Sequence, residues 1–321
     1  MKNKILKLIK KPSLLFLSLG HRGFFNWMDD DTYLKIAYKI KLGSKLNLEN
    51  PLTFNEKLQW LKIHDRNPLY TKLVDKYEVK KYVADKIGEQ YIIPTYGVWD
   101  RFDDIDFNSL PSKFVLKCTH DSGGIVIVPN KDNLDIKSAK KKLEESLCHN
   151  YYWGQREWPY KNVKPRIIAE KYMEDSNDSK ELVDYKLMCF NSKVKCSFTC
   201  TNRGSKDGLK VTFFDTEWNR MPFIRHYPAD ISCMDKPKSY DEMIVLAEKL
   251  SEKIPFARID FYEIHDRPYF GEITLFPGSG MEEFDPSDWD LELGKWIDLP
   301  NKEGKLLFTK GGNSDKVPKR K

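Results

Sequence analysis

The stretch "RIDFYEIHDRPYFGEITLFPGSG", residues 258–280, constrains the chain most, because it reads as two strands around a tight break. Residues 257–264 and 268–275 are rich in Ile, Phe, Tyr and Leu, and "HDR" followed by Pro268 separates them. With a loop from His265 to Arg267, Ile264 pairs with Pro268, Asp260 falls opposite Glu272, and Arg258 falls opposite Thr274. Side chains alternate across a strand, so these four share one face, while Ile259, Phe261, Tyr269, Ile273 and Leu275 form a core face. Directly opposed residues have Cβ atoms about 5 Å apart, where like charges destabilise the pair. A cation between Asp260 and Glu272 removes the conflict. No His or Cys accompanies them, which favours a hard, oxygen-seeking ion over zinc. Mg²⁺ takes one or two carboxylates and completes its shell with water and phosphate. On that reading Glu272→Gln leaves the metal-free fold no less stable. The alternative is two exposed carboxylates, each paired with Arg or Lys.

A chain of 321 residues, 40% hydrophobic and 13% aromatic, buries a full core as one large domain or two intimate ones. Its 54 Lys and Arg against 48 Asp and Glu give a net charge of +6. So diffuse an excess argues against a nucleic-acid partner and suits an anionic substrate or an acidic membrane surface. Six cysteines without C-x-x-C or zinc spacing read as reduced thiols in a cytoplasmic protein. The N-terminal apolar run, Leu14 to Leu19, is far short of the ~20 residues that span a bilayer. Residues 1–25, with their lysines ahead of Leu and Phe, suit either peripheral membrane contact or a helix packed on the protein's own body.

Residues 31–88 read as helices. "TFNE" is a capping box, Thr53 with Glu56, and a longer helix follows Pro68 and ends at Gly88. From residue 91 strands dominate, interrupted by helices near 136–147 and 239–253, the second opened by a box of Ser239 with Glu242. The class is α+β with mainly antiparallel sheets. The expected division is a helical region over 1–70, a main domain over 71–299 and a loose tail over 300–321. Residues 174–181 form a polar loop.

"KCTHDSGGIVIVP" places a Gly-Gly turn after a strand ending in Lys117. Its backbone N–H groups suit a phosphate, and an ordinary hairpin turn uses the same glycines. "LVDYKLMCF" puts Asp184 and Lys186 on one strand face. They suit either a surface ion pair or a nucleotide site. "NYYWGQREWPYKNVKPR", residues 150–166, offers rings for a sugar and Arg156, Lys161 and Lys164 for uronate carboxylates, or simply fills core.

In order along the chain, "NPLTFNEKLQWLK", "LKCTHDSGG", "AEKYM", "DYKLMCFNSKV" and "GEITLFPGSGMEEFDP" resemble the ATP-grasp superfamily, specifically its TupA-like group, over roughly residues 25–299. The resemblance implies an ATP-grasp fold, with ATP held between two α+β lobes, and an ATP-dependent ligase joining a carboxylate to an amine. It implies that Lys76 and Lys117 bind phosphates, and that Ser122, Gly123 and Gly124 close over them. Glu170, Lys171 and Met173 correspond to the adenine hinge, with Asp184 at the ribose and Lys186 beside it. Asp260, Glu272 and Thr274 align with the magnesium set, which implies two Mg²⁺ ions, and Arg258 aligns with the arginine that steadies phosphate or intermediate. Thr274 stands where the superfamily usually has Asn, a better ligand. The implied partners are an anionic polysaccharide or glycan acceptor and a small amine or amino acid. A glycosyltransferase, suggested by D-x-D at Asp104 and Asp106, and an ATP-grasp kinase are the alternatives.

Overall fold

Short apolar strands separated by polar turns pair into two main antiparallel sheets and a small two-stranded one, and helices cover the faces that the strands leave apolar. The computed structural model describes residues 12–174, 182–202, 208–232 and 234–300. The sequence opens with helices α1 (Pro12–His21), α2 (Asp30–Leu42), α3 (Phe54–His64), α4 (Leu69–Val74) and α5 (Glu78–Ile87). The first sheet follows: β1 (Thr95–Trp99), β2 (Phe114–Cys118) and β3 (Ile125–Val128), then α6 (Ile136–Leu147), the short α7 (Tyr152–Gln155) and β4 (Ile167–Lys171). Its strand order is β1-β4-β2-β3. The second sheet uses β5 (Asp184–Phe190), β6 (Lys193–Thr201) and β7 (Lys210–Phe214). After β8 (Ile224–Arg225) and α8 (Tyr240–Leu250) come β9 (Phe256–Ile264) and β10 (Arg267–Thr274), giving the order β10-β9-β5-β6-β7. β11 (Phe284–Asp285) pairs with β8, and α9 (Asp288–Lys295) is the last described element.

Each sheet has its own core. Leu187, Ile259 and Ile273 of the large sheet pack with Met243, Ala247 and Leu250 of α8, Phe54 and Leu58 of α3, and Val79 and Val83 of α5. Leu116, Ile167 and Ala169 of the small sheet pack separately on Ala139 and Leu143 of α6. The N-terminal helices form a third cluster around Tyr33, Leu34 and Ala37. Truncating a core position such as Leu250 to Ala carries the usual cost of about 2–5 kcal/mol. The fold is α+β, and α3 shares the core of the large sheet.

Several local expectations change. The hairpin turn contains two residues, not three: His265 and Asp266 take positive φ angles of 51° and 61°, as a tight two-residue turn demands. Arg267 therefore pairs with Ile264. A bulge at Gly271 absorbs the extra residue and restores Glu272 opposite Asp260 and Thr274 opposite Arg258. A Cβ at Gly271 would sit 3.1 Å from the Asp260 carbonyl, so the strand accepts glycine there without crowding. Before the bulge the faces are exchanged, and buried Phe270, not Tyr269, joins Phe261 in the core.

The capping box of Thr53 and Glu56 forms, and Gly88 caps α5. The box at Ser239 does not; its N–H and hydroxyl both donate to Glu263 of β9, at 2.7 and 2.5 Å. The single helix expected after Pro68 is broken between α4 and α5. The Asp75 carboxylate accepts the Tyr77 and Glu78 N–H groups at 2.8 and 3.3 Å and also binds Arg166 at 2.8 Å. These bonds satisfy a helix start two residues past Lys76, leaving Lys76 in the turn. The expected polar loop lies, from residue 175, outside the described residues, as do residues 301–321 of the tail.

Candidate active site

Two walls of opposite character enclose a cavity of about 290 Å³. The first is built where α5 meets the small sheet. Antiparallel pairing of β2 with β4 brings the ammonium of Lys117 2.7 Å from one Glu170 oxygen. Lys80 of α5 reaches the other oxygen at 2.5 Å and donates to the Ile93 carbonyl at 2.7 Å. Burial works to raise the Glu170 carboxyl, but Lys117 and Lys80 together hold it below the ordinary glutamate value. Burial lowers the Lys80 ammonium, against the pull of Glu170.

Lys76 donates its ammonium to the Asp121 carbonyl, and its N–H to the Thr119 carbonyl at 3.0 Å. Asp121 accepts the Gly124 N–H at 3.1 Å and the Ser146 hydroxyl. A Cβ on Gly124 would collide with Ser146 and Cys118, so this turn needs glycine. The base of the Gly-Gly turn is thus fixed, while Ser122 and Gly123 remain exposed at its tip.

The second wall is the polar face of the large sheet. β5, β9 and β10 set Lys186 beside Asp260 and Asp260 beside Glu272. Arg258, two residues from Asp260 on the same strand face, bridges the carboxylates. Its Nε lies 2.6 Å from Asp260 Oδ1, and one Nη lies 2.7 Å from Asp260 Oδ2 and 2.6 Å from Glu272 Oε1. Lys186 also donates to Asp260 and lies 3.5 Å from Asp184, which receives a hydrogen bond from Tyr262. Thr274 donates its hydroxyl to Glu272 at 3.2 Å.

Burial opposes ionisation throughout this row. Asp260 and Glu272 outweigh it at Arg258, whose guanidinium is held above its ordinary value. At Glu272, Arg258, Lys76 and Lys186 outweigh burial and pull the carboxyl down to about 2. Burial prevails at Asp260 and raises its carboxyl, against Arg258 and Lys186. The opposed carboxylates are therefore not a bare repulsive pair. Arg258 and Lys186 supply the positive charge sought from a cation in the sequence, and the pairing alternative is realised in partly to fully buried form.

Among the described residues no group of three or more His, Cys, Asp or Glu side chains is placed to hold a metal. The donor chemistry nevertheless fits Mg²⁺ shared with phosphate. Asp260 and Glu272 both open on the cavity, only oxygen ligands are offered, and a magnesium shell needs no more than one or two carboxylates from the protein.

Of the residues singled out in the sequence, Lys76, Lys117, Ser122, Gly124, Glu170, Asp184, Lys186, Asp260 and Glu272 line this cavity. Gly123, Lys171, Met173, Arg258 and Thr274 are not part of its lining. Lys171 is exposed, and its backbone N–H donates to the Pro94 carbonyl at 2.9 Å. Sequence reasoning missed Lys80, Asp121 and Tyr262. Lys80 had a signal, its four-residue spacing from Lys76, but lysines on a helix ordinarily face solvent.

Segment 150–166 serves the fold. Arg156 is buried against the rings of Tyr33 and Trp153, 4.4 and 4.8 Å from their centroids, and donates to the Phe25 carbonyl at 2.6 Å. It fastens the N-terminal helices and is withdrawn from any uronate. Lys164 pairs with Asp100 at 2.8 Å, and Lys161 lies over Tyr152. Asp104 pairs with Arg101 at 2.6 Å, and neither Asp104 nor Asp106 lines the cavity.

A search of curated proteins returned no match. Among solved structures, similarity was found to the D-alanine–D-alanine ligase of Bacillus anthracis complexed with ATP, at 15% identity and a TM-score of 0.39. That match covers 70% of this chain and 64% of the ligase, so the chain spans less than two thirds of its length. The D-alanine–D-alanine ligase of Helicobacter pylori matches at 17% identity and a TM-score of 0.39, covering 76% of this chain and 68% of that one. A RimK-domain ATP-grasp protein of Sphaerobacter thermophilus matches at 10% identity and 0.39, covering 71% and 69%. Likeness at that level is too distant to carry an argument. The family profile does carry one: the TupA-like ATP-grasp family matches residues 56–298, and the chain belongs to that family.

Proposed function

We propose that the protein is an ATP-dependent carboxylate–amine ligase working through an acyl phosphate. The observation that carries this reading is the cavity in which Lys76, Lys80 and Lys117 face Asp260 and Glu272. The lysines receive the triphosphate, with Ser122, Gly123 and Gly124 closing over it. Glu170, Lys171 and Met173 meet the adenine, and Asp184 with Lys186 the ribose side. An acceptor carboxylate oxygen attacks the γ-phosphorus, and the bond to the β–γ bridging oxygen breaks, releasing ADP. The amine nitrogen then attacks the acyl carbon, the acyl C–O bond breaks, phosphate leaves, and the nitrogen loses its proton. Asp260 and Glu272, with Thr274 nearby, would hold Mg²⁺, as two ions on this reading, which would supply positive charge against the transferring phosphoryl group. Arg258 stabilises the charge that develops on the acyl centre.

The acceptor we favour is a uronate of an anionic surface polysaccharide, and the amine an amino acid, in a cytoplasmic enzyme of polysaccharide or capsule synthesis. The domain carrying this chemistry is taken as residues 71–299. No helix among the described residues is long and apolar enough to cross a membrane. Exposed Leu14, Leu15, Phe24 and Trp27, beside the lysine-rich start of the chain, support peripheral contact with an anionic membrane surface.

The test supplies a uronate oligosaccharide, ATP, Mg²⁺ and hydroxylamine. Equal release of ADP and phosphate with a hydroxamate on the sugar carboxylate is expected. Phosphate transferred to a sugar hydroxyl would establish a kinase instead. UDP released from a nucleotide sugar without ATP consumption would establish a glycosyltransferase.

A further inference from the structure

We propose that a second cavity, behind the ion-paired row of the large sheet, is the acceptor site and takes a compact carboxylic acid with a ring-shaped body. The cavity holds about 150 Å³. Lys186 lines both cavities, and Arg258, bonded to Asp260 on the nucleotide side, lines the second. One layer of ion-paired side chains therefore separates the two. An acid bound to Arg258 in the second cavity lies next to the carboxylates that face the lysine wall.

The charge of the lining selects an anion. Lys186, Arg225 and Arg258 border the cavity, and Glu282 is the acidic residue among them. Arg225 is 4% exposed. One of its Nη groups donates to the Pro277 carbonyl at 2.7 Å and lies 3.3 Å from Glu282. Its Nε has no hydrogen-bond partner, and a buried donor left unsatisfied is costly. Asp260, Asp184 and Glu272 already engage Lys186 and Arg258, so a bound carboxylate adds to charge-assisted bonds without stripping the row.

The other side of the cavity is apolar. Phe198, Phe213 and Val211 border it, with Tyr227 partly exposed beside them. Phe198 and Phe213 lie with centroids 4.9 Å apart, and Arg258 lies over the Phe198 ring at 5.9 Å. Ring faces beside cations suit an acid whose body is a flat or sugar ring, and the volume is smaller than that of the nucleotide cavity. Segment 150–166, the sequence candidate for this task, is engaged with the N-terminal helices. The inference rests on the ligase reading only for what becomes of the bound acid: its carboxylate oxygen is the atom that attacks the γ-phosphorus.

Cys200 lines the cavity and is partly exposed, whereas Cys118, Cys189 and Cys196 are buried. With Cys148 and Cys233 replaced by serine in the full chain, alkylation of Cys200 by N-ethylmaleimide, followed by mass spectrometry, reports occupancy. At ten times its Kd, glucuronate or benzoate should slow alkylation about tenfold, by simple mass action. Glucose and benzamide should leave the rate unchanged. Arg225→Met should remove protection by the acids, and Tyr227→Ala, at a more exposed position, should weaken it. Protection by neither acid, or by ATP with Mg²⁺ alone, would overturn the assignment. Protection without hydroxamate formation would keep the acid site and remove the ligase reading. Hydroxamate formation with Cys200 unprotected would keep the ligase and remove this site.

Discussion

The two walls of the cavity proposed for the nucleotide solve opposite electrostatic problems. On the small-sheet side three lysines, Lys76, Lys80 and Lys117, share the Glu170 carboxylate and two carbonyls, leaving positive charge in excess. On the large-sheet side three carboxylates, Asp184, Asp260 and Glu272, are tied to Lys186 and Arg258. The first wall leaves charge for an anion, whereas the second is already compensated within the protein. The cores differ in the same way. The large sheet sits on an extensive core shared with α3, α5 and α8, while the small sheet has a separate, smaller one. An anion drawn to the lysines therefore meets the side of the molecule with the smaller core.

The comparison breaks most visibly at Arg258. Arg258→Met leaves Asp260 and Glu272 opposed with Lys186 as their nearest cation. Removing one partner of a buried ion pair costs about 3–5 kcal/mol, and that loss of stability is expected here. Mg²⁺ should restore more stability to the variant than to the parent, since it supplies the missing charge. Denaturant melts with and without Mg²⁺ measure both. A loss below about 1 kcal/mol would mean that the large-sheet wall does not depend on internal compensation.

On the lysine wall the expected effect is smaller and falls on binding. Lys80→Met should weaken ATP binding about tenfold, or ~1.4 kcal/mol, with the fold retained because Lys117 still holds Glu170. Titration calorimetry with a non-hydrolysable analogue measures it. An unchanged Kd would reduce Lys80 to a structural partner of Glu170 and the Ile93 carbonyl.

Much of this contrast was legible in the sequence, for identifiable reasons. Alternation placed Arg258, Asp260, Glu272 and Thr274 on one face, and the opposition of Asp260 to Glu272 survived because a shorter turn and the Gly271 bulge cancel. The same count failed for Tyr269, which lies before the bulge. What partners a charge was not legible. That Arg258 would fold back along its own strand to bridge two carboxylates depends on rotamers and on burial, which periodicity does not encode. Lys80 and Arg156 show the same limit from opposite sides. One resembled a solvated helix residue and lines the cavity; the other resembled a ligand residue and anchors the N-terminal helices. The break at Asp75 that exposes Lys76 depends on Arg166, which is remote in sequence.

The turn at residues 119–124 gives a local version of the comparison. Thr119 already donates its N–H to Arg166 at 2.9 Å, and Gly124 donates to Asp121, whereas Ser122 and Gly123 stand exposed. Bound nucleotide analogue with Mg²⁺ should slow hydrogen exchange at 122 and 123 and leave Thr119 and Gly124 nearly unchanged. Slowing spread evenly across the turn would show that its base moves too, and no slowing would leave an ordinary hairpin connection.

The smallest effect is the most specific to the large-sheet wall. Arg258, Lys76 and Lys186 overcome burial and hold the folded Glu272 carboxyl at about 2, below its unfolded value. A depressed carboxylate contributes stability that is fully present above the unfolded pKa and is lost as pH falls toward the folded one. The gap alone would amount to roughly 3 kcal/mol. The side chain is 40% exposed to the cavity, however, and solvent screening reduces the expected contribution to about 1 kcal/mol. Glu272→Gln should therefore lower metal-free stability at neutral pH, reversing the sequence expectation that relieving repulsion would cost nothing. Its deficit relative to the parent should shrink as pH falls from about 5 toward about 2, because the unfolded parent takes up a proton that the folded carboxylate resists until about 2. Paired denaturant melts across that range read the difference directly. A deficit independent of pH would mean that packing, not the Arg258 pairing, sets the role of Glu272 in the fold.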